Sequence, residues 1–133
     1  MKILFVCSGN VYRSPLAEAL LKKLRPNWTV DSAGMRLVLP IADEVRAFLK
    51  EEGAENLLKK HPESLMEKNL ADYDIIVAME PIHRDYILSL CPQCKDKIVV
   101  WNIPDPYLMN KRAMWKIFQK IKAKVTELAN LSP

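Results

Sequence analysis

The sequence predicts an α/β fold: a three-layer sandwich in which a four-stranded parallel sheet carries helices on both faces. Two observations carry that prediction. Short apolar runs of strand length alternate with longer stretches of helical periodicity, and such alternation implies right-handed crossovers and parallel pairing. The first run, "KILFVC" at 2–7, is continuously apolar after its lysine rather than alternating, the pattern of a strand covered on both faces.

The elements follow in order. After 2–7 comes a helix over 14–25, with Leu16, Leu20 and Leu24 at helical spacing, Ser14 as N-cap and Pro15 at the first helical position. "WTVDS" at 28–32 reads as a second strand. Ile41, Val45, Phe48 and Leu49 mark a helix that ends before Gly53. The stretch 54–73 reads as short helical pieces broken at Pro62. "YDIIVAM" at 73–79 is the strongest strand signal, followed by a helix over 82–90 and a short strand, "KIVVW", at 97–101. The last helix runs over 111–130, with Met114, Ile117, Phe118, Ile121, Val125 and Leu128 on one stripe that reads as core.

The length of 133 residues suits one domain spanning 1–133 with a buried core. No apolar run approaches the ~20 residues that cross a bilayer, so no membrane is expected as partner. The amino terminus lacks the h-region and cleavage site of a signal peptide and reads as the first strand of a cytoplasmic protein. Three cysteines, Cys7, Cys91 and Cys94, cannot all pair in one chain, which points to thiols kept reduced inside a cell. The net charge of +4 favours anionic partners only weakly. Its densest basic stretch, 110–125, reads as a solvated helix face rather than a nucleic-acid groove.

In sheets of this kind ligands bind beyond the carboxyl ends of the strands, and Cys7 ends the first strand. The loop "CSGNVYRS" after it has the makings of an anion site. A tight strand-to-helix turn aims backbone N–H groups inward, and the helix adds unpaired N–H groups and its positive dipole end. Gly9 and Asn10 tolerate left-handed backbone. Arg13, six positions after Cys7, can fold over the cradle and offer a bidentate fork to two oxygens. A thiol in that field favours the thiolate, a nucleophile aimed at the phosphorus its own loop holds. Ser14 can donate a hydrogen bond to the sulfur.

The C-x5-R-S loop after the first strand, with "RSPLAEAL" opening the helix, closely resembles the low-molecular-weight protein tyrosine phosphatase family. The resemblance extends over nearly the whole chain. It implies a phosphate loop after the first strand and metal-independent hydrolysis of phosphotyrosine through a phosphocysteine. Cys7 would be the nucleophile; Arg13 and the loop residues Ser8, Gly9, Asn10, Val11 and Tyr12 would hold the phosphoryl group. Tyrosine-phosphorylated proteins would be substrates, and inorganic phosphate or other oxyanions inhibitors. No cofactor is implied: nothing resembles a metal cluster, and thiolate chemistry needs none.

Such chemistry needs a proton donor for the leaving oxygen. "IPDPYL" at 103–108 supplies Asp105 between two prolines, just after the fourth strand and so on the same edge as Cys7. By resemblance Asp105 is the general acid and Tyr107 an aromatic lining the cleft. "VDSAG" at 30–34 matches the element where a serine, here Ser32, bonds the loop asparagine, here Asn10. His61 would match a histidine supporting that network, whereas His83 reads as a helix-surface residue.

Several features depart from the family pattern. "GMRLVLP" at 34–40 is short for a specificity loop and has no aromatic, so ring recognition would fall to Tyr12, Tyr107 and apolar residues such as Leu37. Position 12 carries tyrosine where many members have a second cysteine, so no protective disulfide can form inside the loop. Val11 is of the apolar type associated with tyrosine-directed members, whereas the phosphoarginine branch carries threonine there. "CPQC" at 91–94 admits a redox or metal role beside the plainer reading of a helix end with two incidental thiols. Phosphoarginine hydrolysis and arsenate reduction on the same scaffold are the alternatives.

Overall fold

The computed structural model describes residues 1–131. Strands β1 (Lys2–Cys7), β2 (Thr29–Gly34), β3 (Ile75–Ala78) and β4 (Ile98–Val100) form one sheet in the order β2-β1-β3-β4, every pairing parallel. Helices α1 (Arg13–Leu24), α2 (Asp43–Glu51), α3 (Pro81–Leu90) and α4 (Lys111–Ala129) connect and flank it. The chain leaves β1 toward β2 on one side and later returns to place β3 on the other. That reversal makes the carboxyl end of β1 the switch point of the sheet.

The period-two alternation of β1 divides the core in two. Ile3, Phe5 and Cys7 face the layer of α1, α2 and α4, among Leu16, Phe48, Leu49, Phe118 and Ile121. Leu4 and Val6 face the opposite layer, among Leu65, Leu70, Ile87, Cys91 and Cys94. The whole of β1 after Lys2 is buried, which explains its unbroken apolar run. The α4 stripe is core, with Phe48, Trp115 and Phe118 in tilted or edge-on contact at 5.3–5.6 Å between centroids. Leu128 packs only partly against it. Lys111, Arg112, Lys116 and Lys120 lie on its exposed side.

Three expectations need correcting. Helix α1 begins at Arg13 with Tyr12 as N-cap and no capping side chain, so Ser14 is inside the helix and Pro15 is its third residue. The first-turn amides are thereby left without a side-chain partner, as an anion site requires. Strand β2 continues to Gly34, two residues past the predicted end, because Ala33 and Gly34 pair with Val6 and Cys7. Cys91 and Cys94 form a disulfide, with Cα atoms 5.4 Å apart, and Cys7 is the free thiol. A 3-10 helix over Pro92–Lys97 stacks positions three apart on one face and brings the two sulfurs together.

The unclear stretch 54–73 holds three single-turn 3-10 helices, Glu55–Leu57, Leu65–Glu67 and Leu70–Asp72. Between the first two, the Glu63 carbonyl accepts from Gly34 N–H at 2.9 Å and Gly34 bridges Ser64, carrying this segment alongside the end of β2.

Candidate active site

Cys7 is buried at the end of β1, with Sγ 2.9 Å from Ser14 Oγ. The turn that follows depends on Asn10, whose φ of 57° lies in the left-handed region. Its side chain is fully buried and tied on every side. Nδ2 donates to Ser14 Oγ at 2.7 Å and to Ser32 Oγ at 2.9 Å; Oδ1 accepts from Glu63 N–H at 2.9 Å and from Lys59 Nζ at 3.1 Å. Ser32 thus meets Asn10 as the resemblance implies, and Ser14 links Asn10 to the sulfur.

Gly34 makes room for this turn. A Cβ there would stand 2.7 Å from the Gly9 carbonyl carbon and 2.8 Å from Asn10 N, inside contact with backbone that has no freedom to move. The segment after Gly34 then clasps the loop from outside: Met35 N–H donates to Cys7 O at 3.2 Å and Arg36 N–H to Ser8 O at 2.9 Å.

Arg13 is almost wholly buried and held before any ligand arrives. Its Nη1 donates to Glu80 Oε1 at 2.5 Å and to the Ile103 carbonyl at 2.8 Å. Its Nη2 lies 3.4 Å from Ser8 Oγ and 3.7 Å from Asp105 Oδ2. Asp105 is half exposed at the mouth, its Oδ1 accepting from Tyr107 N–H at 3.1 Å. That contact fixes the carboxylate within its own turn between Pro104 and Pro106.

A cavity of about 250 Å³ opens over these groups, lined by Cys7, Ser8, Gly9, Val11, Tyr12 and Arg13 at its base and by Arg36, Val38, Leu39, Asp105 and Tyr107 around its mouth. Polar Ser8 and Arg13 share its lining with apolar Val38 and Leu39 and the aromatic Tyr107, a combination suited to an oxyanion on an aromatic stem. Burial, and then the charges of Glu44 and Asp105, raise the Tyr12 hydroxyl above the ordinary tyrosine pKa, so the ring stays neutral.

Of the residues sequence reasoning named, Cys7, Arg13, Asp105, Tyr107 and the loop residues Ser8, Gly9, Val11 and Tyr12 line one cavity, whereas Asn10 and Ser14 are fully buried and do not line it, Ser14 lying against the sulfur. Sequence reasoning erred on others. His83 is fully buried, not a helix-surface residue, and its Nε2 is 2.9 Å from Ser8 Oγ. The "AMEP" turn before α3 was the missed signal, because Glu80 and His83 cap α3 reciprocally and so face the site together. His61 is exposed; Lys59, two residues earlier, takes the place expected of it. The Lys59 side chain is buried beside Ser32, Glu18 and Glu63, at 2.8 Å from the Ser32 carbonyl and 2.7 Å from Glu63 Oε2. Val38 and Leu39, rather than Leu37, line the mouth.

The chain resembles known proteins over nearly its full length. Residues 2–131 match the family described as "Low molecular weight phosphotyrosine protein phosphatase". The low molecular weight protein-tyrosine-phosphatase Wzb of Salmonella typhi is 32% identical over 136 aligned positions, which cover 96% of this chain and 91% of that protein. The structure of Vibrio vulnificus Wzb in complex with benzylphosphonate superposes with a TM-score of 0.86 at 31% identity, covering 96% of each chain. The YwlE arginine phosphatase from Geobacillus stearothermophilus superposes at 0.85 with 28% identity, covering 96% of this chain and 90% of its own.

Proposed function

We propose a division of labour among these residues from a plain premise: the chain belongs to the low molecular weight phosphotyrosine protein phosphatase family and is a protein tyrosine phosphatase. Cys7 attacks the phosphorus in line, and the tyrosine oxygen leaves as Asp105 protonates it. Asp105 then takes a proton from the water that hydrolyses the phosphocysteine. The loop amides from Ser8 to Arg13, with the Arg13 guanidinium, hold the transferring oxygens. Ser14 steadies the sulfur when it is the nucleophile and again when it leaves.

The observation that carries this reading is the meeting of Cys7, Arg13 and Asp105 on one cavity, with Arg13 bridging toward both Ser8 and Asp105. Arg13 is preorganised by Glu80 and Ile103, so little reorganisation accompanies binding. An aromatic stem would lie between Tyr12, Tyr107 and the aliphatic Val38 and Leu39. The benzylphosphonate complex of the Vibrio relative, an aryl stem on a phosphonate, supports that placement. Proteins carrying phosphotyrosine are the substrates we propose, with inorganic phosphate and similar oxyanions as inhibitors. The whole chain acts as one domain in this proposal. We place it in the cytoplasm, because the free Cys7 thiol is the nucleophile and a reducing compartment preserves it; the Cys91–Cys94 disulfide is the observation that stands against this placement.

A second reading, phosphoarginine hydrolysis, has the YwlE likeness behind it. Against it, position 11 lines the cavity with the hydrocarbon of Val11, which offers nothing to a guanidinium. Hydrolysis of phosphotyrosine and phosphoarginine peptides side by side, in chelator and with Cys7→Ser as control, separates the two. The expected outcome is phosphotyrosine turnover that vanishes in Cys7→Ser. Preference for phosphoarginine would overturn the selectivity and leave the chemistry of the loop in place.

A further inference from the structure

The residue after the nucleophile, Ser8, lines the cavity with its side chain exposed. Two nitrogens converge on its oxygen, His83 Nε2 at 2.9 Å and Arg13 Nη2 at 3.4 Å. On its other side the His83 ring receives the Glu80 backbone N–H at Nδ1, at 3.0 Å. A backbone amide only donates, so Nδ1 accepts and the proton of the neutral ring sits on Nε2. That nitrogen therefore donates to Ser8 Oγ, and a guanidinium likewise only donates. The serine oxygen is thus supplied with two donors and keeps one proton of its own. Among the described residues Ser8 Oγ has no further hydrogen-bond partner, and Ser8 lines the cavity.

We propose that the Ser8 side-chain hydroxyl donates a hydrogen bond to the bound phosphoryl group, and that His83, itself fixed by the Glu80 main chain, is the positioning residue that aims it. The inference rests on the phosphatase reading and adds to it a side-chain donor beyond the loop amides and Arg13. His83 touches no substrate; it acts only by occupying the acceptor side of Ser8. The arrangement needs a neutral ring, and the surroundings keep it so. Burial, then the Arg13 charge, lower the His83 pKa to about 4, against the opposing pull of Glu80 and Asp105. These three are the charged groups that face the ring, from α1, from the start of α3 and from the loop after β4.

The test compares Ser8→Ala, Ser8→Thr, His83→Leu, His83→Gln and the Ser8→Ala/His83→Leu pair, read by phosphotyrosine kinetics and by the inhibition constant of inorganic phosphate. A hydrogen bond to a charged oxygen predicts about a tenfold rise in the phosphate constant for Ser8→Ala, with a similar loss in kcat/KM. Ser8→Thr keeps the hydroxyl and should stay within about twofold of the parent. His83→Leu should match Ser8→Ala, and the double variant should be no worse than either alone, because both remove one interaction. His83→Gln, whose amide can still donate toward Ser8, should recover most of the loss. Additive losses in the double variant, or an unchanged phosphate constant in Ser8→Ala, would overturn the proposal.

His83 is buried, and the leucine variant is the one at risk of not folding. Nitrogen NMR of the unaltered protein covers that case, with an Nε2-protonated ring expected at neutral pH and an Nδ1-protonated ring fatal to the idea. The two levels also separate cleanly. If the parent protein turns over phosphotyrosine and Cys7→Ser does not, normal phosphate affinity in Ser8→Ala sinks this proposal alone. If the parent turns over nothing, the phosphatase reading itself fails.

Discussion

Asp105 shows how a residue's neighbours decide its task. It sits half exposed at the cavity mouth, 3.7 Å from a guanidinium whose other arm is already committed to Glu80 and Ile103. Its value as an acid depends on the leaving group. Asp105→Asn should slow phosphotyrosine hydrolysis by about a hundredfold or more, yet barely slow a substrate whose leaving phenol is strongly acidic. Equal slowing of both would remove it from the acid's role. At this scale the sequence was legible wherever chemistry is packed into consecutive positions: Cys7 to Ser14 could be read as a unit because the loop is local. Partners supplied from afar were not. His83, Glu80 and Lys59 reach Ser8, Arg13 and Asn10 across 75, 67 and 49 residues, and the reciprocal cap of Glu80 and His83 is the one local hint of any of these contacts.

Among the elements, α3 joins structure to function most directly, because its first turn carries both Glu80 and His83 into the site. Its burial of a neutral histidine has a consequence for acid stability. His83 titrates at about 4 in the folded protein and near 6.5 when exposed. Between those values the unfolded chain binds a proton that the native chain refuses. Stability should therefore be fully present above about pH 6.5 and decline as the pH falls toward 4, by at most about 3 kcal/mol. Thermal melts across that range should show the slope, and His83→Gln should flatten it; an identical slope in the variant would assign the loss to other groups. Strands β1 and β3 were legible because burial on both faces writes an unbroken apolar run. The 54–73 region was not, since single 3-10 turns have too few residues to show a period.

For the molecule as a whole, the two cores on either side of β1 separate chemistry from reinforcement. Cys7 belongs to the layer of α1, α2 and α4; the Cys91–Cys94 bond belongs to the other, among Leu65, Leu70, Tyr73 and Ile87. A cross-link spanning so few residues restricts the unfolded chain only slightly. Replacing both cysteines with alanine should lower unfolding free energy by roughly 2 kcal/mol, with kcat for phosphotyrosine unchanged. Denaturant titration and kinetics on the double variant check both halves, and a large fall in kcat would mean the two layers are coupled. Parallel pairing and layer count were legible from alternation alone, whereas the strand order came only with the structure. The disulfide was not, because spacing in "CPQC" does not reveal whether the chain between is wound tightly enough to close it.

Asn10 holds the loop in its left-handed turn through Ser14, Ser32, Lys59 and Glu63, which come from three separate stretches of the chain. The anion cradle is thus a product of the completed fold, and a peptide ending after α1 would have the motif without the grip. Binding and folding then become one equilibrium viewed from two ends. Phosphate at a hundred times its dissociation constant should deepen the native well by about 2.7 kcal/mol, and any injury to the fold, however distant, should register as a weaker hold on the ion.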